Sequence, residues 1–280
     1  ILFERTERIL GELDDLTEVA GLIGRVDTWL AKGKFADRYH CEVPQVSLLG
    51  DTDLRQARNP LLELKETQVI ANDILINDSK QFLIITGPNT GGKTVTLLTL
   101  GLVTLMVGAA IPIPVAKGSS VAIYPRMYTL FGDPQDIQSD RSTFSGQLAR
   151  VSGVLETAGP GSLVLMDEPI VGTEPAGGAA LAIAVLEFLA DRGARGAVTT
   201  HYDRLKTLSV EDERFENASV GLHPESLHPN FLLTRGVAGS SSPISIASQL
   251  GLRASVIERA RELAGENPEA LKDAIEKIDE

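Results

Sequence analysis

Lys93 and Thr94 stand behind paired glycines in the run Gly87-Pro-Asn-Thr-Gly-Gly-Lys-Thr94. The spacing G-x-x-x-x-G-K-[ST] is that of a phosphate cradle. Glycines let successive backbone N–H groups turn onto phosphate oxygens, and the N-terminus of a following helix adds the positive end of its dipole. The candidate nucleotide-binding loop is therefore Gly87, Pro88, Asn89, Thr90, Gly91, Gly92, Lys93, Thr94 and Val95. Lys93 supplies a point charge for the β- and γ-phosphates, and the Thr94 hydroxyl is a candidate Mg²⁺ ligand.

Other segments offer matching chemistry. Ser162-Leu-Val-Leu-Met-Asp-Glu168 is an apolar run that ends in two carboxylates. In open α/β sheets ligands gather at the carboxyl ends of strands. Asp167 is then a second candidate metal ligand, and Glu168 the group that orients or deprotonates an attacking water. Val198-Thr-Thr-His201 ends a further such strand, which places His201 to hydrogen-bond a γ-phosphate and Glu168. The polar stretch Gly132–Gly146 offers Ser142 and Thr143 just ahead of a helix, a natural anion-binding cap. Nothing local needs a second phosphate site, so this stretch points to a nucleotide sandwiched between two copies of the chain. His223 and His228 sit beside prolines and read as loop residues rather than a metal pair.

The elements that must position these groups follow from pattern. Phe82 to Ile85 is a short, β-branched, apolar run and reads as a buried strand entering the glycine loop. Further strands are expected at Ser162–Asp167 and Gly196–Thr200, and helices at Gln147–Leu155 and Ala176–Ala190. Strands alternating with helices mean an α/β fold with a mostly parallel, doubly wound sheet. Gln45–Leu64 reads as strands and turns, Val69–Ile76 as a strand pair, and Ser120–Leu130 as one alternating strand. Antiparallel strands are thus expected to flank the sheet on its N-terminal side. Val95 to Val115 carries no charge and imitates a membrane span. Its Thr and Gly content, the terminal Pro112 and Pro114, and its start at the phosphate loop make it a core helix, a turn and a strand.

The chain's ends differ in kind. Ile9, Leu13, Leu16, Ala20 and Ile23 recur at alternating four- and three-residue steps, with Leu30 seven beyond, as in an amphipathic helix or coiled-coil seam. Three short helices are expected at Pro243–Leu250, Ala254–Ala264 and Pro268–Ile278. The segment from Ser245 to Arg253 has the outline of a helix-turn-helix entry, but acidic neighbours favour a structural or dimer-contact role.

Composition bounds the alternatives. The 280 residues suffice for one large domain with an appended piece or for two modest ones. A net charge of −12 argues against a broad nucleic-acid surface. The single cysteine, Cys41, allows no internal disulfide and fits a reducing, cytoplasmic setting. No secretory leader is evident, and a start at Ile1 rather than Met suggests a piece of a longer protein.

Together these motifs make the chain resemble the MutS family of ATPases, which belong to the ATP-binding-cassette class. Gly-Pro-Asn-Thr-Gly-Gly-Lys-Thr94 resembles that family's phosphate loop. Gln138-Ser-Asp-Arg-Ser-Thr-Phe144 resembles its signature segment, which contacts the γ-phosphate of the partner's ATP. Thr199-Thr-His-Tyr202 resembles the segment carrying its switch histidine. Gly-Thr-Glu-Pro175 and Gly178-Ala-Ala-Leu-Ala182 are similar to the second bacterial branch, MutS-two, which lacks mismatch-reading domains. The likeness runs from about Gln45 to Ala264, with departures at Asn59, Pro169, Val171 and Ser242–Ala247.

The resemblance implies ATP or ADP and Mg²⁺ as ligands, with adenine packed near Val69, Ile70 and Asn72. It implies a homodimer, with no membrane association. Residues 1–40 would be the end of a helical lever, 41–240 the ATPase domain and 241–280 a helical dimer contact. Regions outside this chain would handle branched or mismatched DNA in recombination control and repair, or stalled ribosomes. Neither a DNA clamp nor the small MutS-related nuclease domain is present in this sequence. Two rivals are a non-hydrolysing, ATP-gated dimerisation module and a DNA-binding protein that uses the C-terminal helices.

Overall fold

A computed structural model describes residues 2–48, 50–65, 68–131, 143–170, 174–222, 229–239, 244, 247–248 and 251–264. Contacts divide the chain into two units, Ile1–Gly239 and Ser240–Glu280. In the second unit the longest described element is the helix Ala254–Leu263.

The first unit is built on two sheets. In chain order it begins with helices α1 (Leu2–Gly11) and α2 (Leu13–Arg38), then strands β1 (Gln45–Ser47) and β2 (Thr52–Ala57) and the short helix α3 (Pro60–Glu63). Strands β3 (Asn72–Ile76) and β4 (Phe82–Thr86) lead into helix α4 (Lys93–Gly108), and β5 (Ser120–Ala122) and β6 (Arg126–Leu130) follow. Helix α5 (Thr143–Thr157), strand β7 (Ser162–Asp167), helix α6 (Pro175–Asp191), strand β8 (Arg195–Thr199) and helix α7 (Asp203–Glu211) alternate. Strands β9 (Phe215–Leu222) and β10 (Pro229–Arg235) close the unit, and the C-terminal helix Ala254–Leu263 is α8.

The larger sheet has the order β10-β9-β4-β8-β7-β6. Its neighbours are parallel from β9 to β6, and β10 is antiparallel to β9. Sequence pattern explains the burial. In Phe82-Leu-Ile-Ile85 alternate side chains point to opposite faces. Phe82 and Ile84 enter one core with α5, α6 and α7 residues such as Val151, Leu186 and Leu205. Leu83 and Ile85 enter the other with Leu97, Leu100 and Val103 of α4. Both faces are covered, so the strand is apolar at every position rather than alternating. Each fully buried side chain of this kind contributes roughly 1.5–3 kcal/mol.

The smaller sheet has the order β1-β5-β2-β3 and shares the α4 core through Leu54, Ile74 and Ile76. It is mixed, with β1 parallel to β5 and β2 antiparallel to both β5 and β3.

Several expectations need correction. Val69–Ile76 forms one strand from Asn72, not a strand pair. Ser120–Leu130 is two strands in different sheets, because Pro125, which lacks an N–H, separates them. The N-terminal flank is a separate mixed sheet, and the antiparallel addition to the main sheet comes from β10 near the other end. Strands β9 and β10 escape the pattern: Phe215, Ala218 and Val220 are buried among polar neighbours, without clean alternation. The N-terminal seam residues lie on two helices divided at Glu12, and Ile9, Leu13, Leu16, Ile23 and Leu30 are all exposed. The uncharged segment forms α4 only to Gly108, and no helix among the described residues is long and apolar enough to cross a membrane. Of the expected helix Pro243–Leu250 only residues 244 and 247–248 are described, and Pro268–Ile278 lies outside the described residues.

Cys41 follows the end of α2, where its N–H donates to Ala36 O at 2.8 Å. Burial pushes its thiol up to about 11, against the pull of Arg58. At pH 8 the thiolate fraction is then about a hundredfold below that of a thiol with the unperturbed value of 9.0. The higher nucleophilicity of a more basic thiolate recovers part of this, leaving alkylation by iodoacetamide roughly tenfold slower in the folded chain than in urea. Mass-spectrometric labelling rates in the two states check it, and equal rates would contradict the burial of this thiol.

Candidate functional site

The phosphate loop leaves β4 through Gly87, at φ 123°, and enters α4 through Gly92, at φ 96°. Both angles lie where a Cβ is strained. At Gly87 a Cβ would also stand 2.3 Å from the Val220 carbonyl oxygen of β9. Asn89–Gly91 makes one 3₁₀ turn, in which Gly91 N donates to Pro88 O at 3.0 Å. Thr90 is exposed, and the Asn89 side chain lies outside the described residues. Lys93 is the first residue of α4, where helical N–H groups lack partners within the helix.

Parallel register gathers the remaining groups. Ile85 and Asp167 both pair with Thr199 across their ladders, so β4, β8 and β7 end side by side. Thr94 Oγ1 donates to Asp167 Oδ2 at 2.8 Å, and the Thr199 hydroxyl donates to Asp167 Oδ1. The Glu168 N–H in turn donates to Thr199 Oγ1 at 3.0 Å. Glu168 itself has φ 48°, a region uncommon for residues other than glycine. This turn aims its carboxylate between two cationic or potentially cationic groups. Lys93 Nζ lies 3.8 Å from Oε1 and His201 Nδ1 lies 3.5 Å from Oε2.

Lys93 is 3% exposed, and its ammonium donates to Gly87 O at 2.8 Å. Burial holds its pKa below the usual lysine value, while Glu168 and Asp167 pull it back up. The sign matters: desolvation disfavours the charged lysine, and the neighbouring carboxylates oppose that cost. Phosphate oxygens would oppose it further.

On the other side of the loop lies a cavity of about 360 Å³. Gly92, Val95 and Thr96 line it together with Val69, Ile70, Asn72 and Phe231. The expected adenine-side residues are therefore next to the loop. Both ends of the Asn72 carboxamide are used on β10: Nδ2 donates to Phe231 O at 3.0 Å and Oδ1 accepts from Leu233 N at 2.7 Å. Asn59 caps α3, accepting from Leu61 N and Leu62 N, and donates to Thr99 Oγ1 at 3.0 Å.

Phe231 is a residue that sequence reading missed. It is half-exposed, has φ 54°, and lies close enough that a Cβ on Gly92 would meet its ring at 3.2 Å. Its only sequence signal is an aromatic directly after the turn-forming Pro229-Asn230. Ser142 and the Thr143 side chain lie outside the described residues, as do His223 and His228, although Thr143 begins α5.

A family model described as MutS domain V matches residues 83–267. The chain belongs to the MutS family. It is 38% identical over 279 residues to the Endonuclease MutS2 of Acetivibrio thermocellus, covering 100% of this chain and 35% of that protein. It is 39% identical over 286 residues to the Endonuclease MutS2 of Enterococcus faecalis, covering 99% and 36% respectively. The protein of that name from Thermomicrobium roseum is 40% identical over 278 residues, covering 95% and 35%. The chain thus spans about a third of the length of these relatives. As MutS domain V it is a MutS-family ATPase domain of the branch represented by MutS2.

The donor set fits a nucleotide-bound Mg²⁺. That ion takes one or two protein oxygens and completes its shell with phosphates and water. One hydroxyl and one carboxylate, Thr94 and Asp167, meet at the phosphate loop.

Phe231 and Val69 border the cavity together, an arrangement suited to hold a purine face. Phe231→Ala should weaken ADP binding by about 5- to 150-fold, the usual worth of base–aromatic stacking. Inorganic pyrophosphate, which lacks a base, should bind the variant as it binds the parent. Calorimetric titration distinguishes the two ligands, and unchanged ADP affinity would remove Phe231 from the base site.

Proposed function

We propose that this chain hydrolyses ATP with Mg²⁺ as the ATPase domain of a MutS-two-type protein and closes as a homodimer around two nucleotides. The observation that carries this is the placement of Asp167 and Glu168 beside the loop. One carboxylate is hydrogen-bonded to Thr94, and the other stands between Lys93 and His201.

In this mechanism backbone N–H groups of the loop, from Asn89 to Thr94 and other than the Gly91 N–H that already bonds Pro88 O, cradle the phosphates, and Lys93 neutralises the β/γ oxygens. Thr94 and Asp167 would hold Mg²⁺, which when bound would offset the charge that develops on the phosphoryl oxygens. Glu168 takes a proton from water as the water oxygen bonds to the γ-phosphorus. The bond from that phosphorus to the β–γ bridging oxygen breaks, and ADP leaves with the electron pair. His201, paired with Glu168, keeps that carboxylate aimed and contacts the γ-phosphate.

A separate contact supports a lever role for the N-terminal helices. Lys32 Nζ of α2 donates to Ala109 O at 2.7 Å, and Ala109 caps the C-terminus of α4. A cation there suits the negative end of the helix dipole. A 16-residue helix is about 24 Å long, so α4 connects the phosphate loop with α2 over that distance. Parts outside this chain would receive the motion and engage branched or mismatched DNA, or the ribosome. The activity in the relatives' name is not assigned to the residues described above.

Glu168→Gln should retain ATP binding but slow single-turnover hydrolysis by roughly 10²–10⁴-fold, the share of a positioned base. Parent-like turnover in this variant would exclude Glu168 as the base. Negligible turnover in the parent would favour an ATP-gated dimerisation module instead.

The sandwich has its own test. Ser142→Ala/Thr143→Ala should leave ATP binding to a monomer intact while abolishing ATP-dependent dimerisation and hydrolysis. Mixing it with Lys93→Ala, also inactive, creates dimers with one complete composite site, so hydrolysis should return. Full activity of the double variant alone would mean that hydrolysis is completed within one chain.

A further inference from the structure

Tyr202 has no part in the chemistry described above, yet it closes a ring of contacts around the Glu168–His201 pair. Its ring centroid lies 4.5 Å from that of His201, with 44° between the planes. Tilted pairs at such distances are favoured by the aromatic quadrupole. Its hydroxyl donates to Ile170 O at 2.7 Å, and its N–H donates to Thr200 Oγ1 at 3.0 Å.

Each anchor is itself fixed. Ile170 is 1% exposed and follows Glu168 by two residues, and Thr200 N donates to Ile85 O at 3.1 Å. Burial raises the pKa of the Tyr202 hydroxyl, with Glu168 and Glu174 adding to the effect, so it remains a protonated donor at neutral pH. His201, by contrast, has a side chain that is 49% exposed and meets Glu168 at 3.5 Å. A side chain so open keeps rotamer freedom unless a neighbour removes it. Beside Glu168 on one side, the Tyr202 ring is the neighbour that packs on the imidazole.

We propose that Tyr202 is a positioning residue for hydrolysis. Its ring sets the His201 imidazole against Glu168, and its hydroxyl ties that ring to the chain just beyond Glu168. The contacts run from Glu168 to His201, to Tyr202, to Ile170 and back to Glu168 along the backbone. These contacts bridge the segments that follow β7 and β8 beyond their ladder. The proposal rests on the hydrolytic roles given to Glu168 and His201 above. A tyrosine that only filled space beside the core would affect stability without acting through His201.

The test is a double-mutant cycle in single-turnover and steady-state ATPase assays. Tyr202→Leu should lower kcat by about 10- to 100-fold, the scale of a small misplacement of a reacting group, with KM for ATP within about twofold. Tyr202→Phe keeps the ring but cuts the tie to Ile170, and should recover only part of that loss. In a His201→Ala background, Tyr202→Leu should cost no more than about twofold, because its effect passes through the absent imidazole. Parent-like kcat in Tyr202→Leu overturns the proposal, as does an equal loss in both backgrounds. Parent-like turnover in His201→Ala overturns this proposal while leaving the ATPase assignment in place. No hydrolysis by the parent chain overturns both.

Discussion

Three parallel strands that end at the same level impose the geometry from which the site follows. Strands β4, β8 and β7 are held in register by their ladders, with Ile85 and Asp167 both opposite Thr199. One strand therefore delivers the glycine loop, the next His201 and the third the carboxylate pair. The register is enforced by burial on both faces: Leu83, Ile84, Ile85, Val164, Leu165 and Val198 are all at most 1% exposed. A one-residue slip would exchange every side chain between the two cores. That burial also offsets local costs at the strand ends. The positive φ of Glu168 alone is of a kind that costs about 1–3 kcal/mol.

Electrostatics at this edge run against the rest of the molecule. The chain carries a net charge of −12, yet its phosphate loop is built from N–H donors, a helix N-terminus and Lys93. A buried ammonium is costly alone and tolerable among carboxylates. Glu168 at 3.8 Å and Asp167 nearby supply that compensation while also offering groups suited to metal and water. The same residues thus offset the cost of burying the lysine.

Helix α4 links the site to what surrounds it. Its first turn faces the loop, its buried stripe of Leu97, Leu100 and Val103 packs in the core common to both sheets, and the carbonyl of its C-cap residue Ala109 accepts from Lys32 of α2. This explains why a 16-residue segment starting at Lys93 carries no other charge without being a membrane helix. Its buried stripe is apolar because both sheets pack on it, while Leu98 and Leu105 on its other side are exposed. Helix α2, in contrast, has no buried residue among those described, although it carries Leu16, Ile23, Trp29 and Leu30.

Local sequence determined the phosphate loop, the two carboxylates, His201 and the alternation of strands and helices. Each is written within a few residues, by glycines that only a turn would need or by apolar runs that only a doubly covered strand would use. The family followed from those same short motifs, later matched over residues 83–267. Tertiary structure alone decided what depends on distant pairings. Strand β9 is too polar in Glu216, Asn217 and Ser219 to announce itself, and becomes an interior strand because β4 and β10 pair with it on either side. Phe231 reaches the loop because Asn72, 159 residues earlier, binds its carbonyl. Tyr202 meets Ile170 across 32 residues. Periodicity and spacing report on neighbours in the chain, whereas contacts of this kind are set by the folded sheet that brings separate segments to one edge.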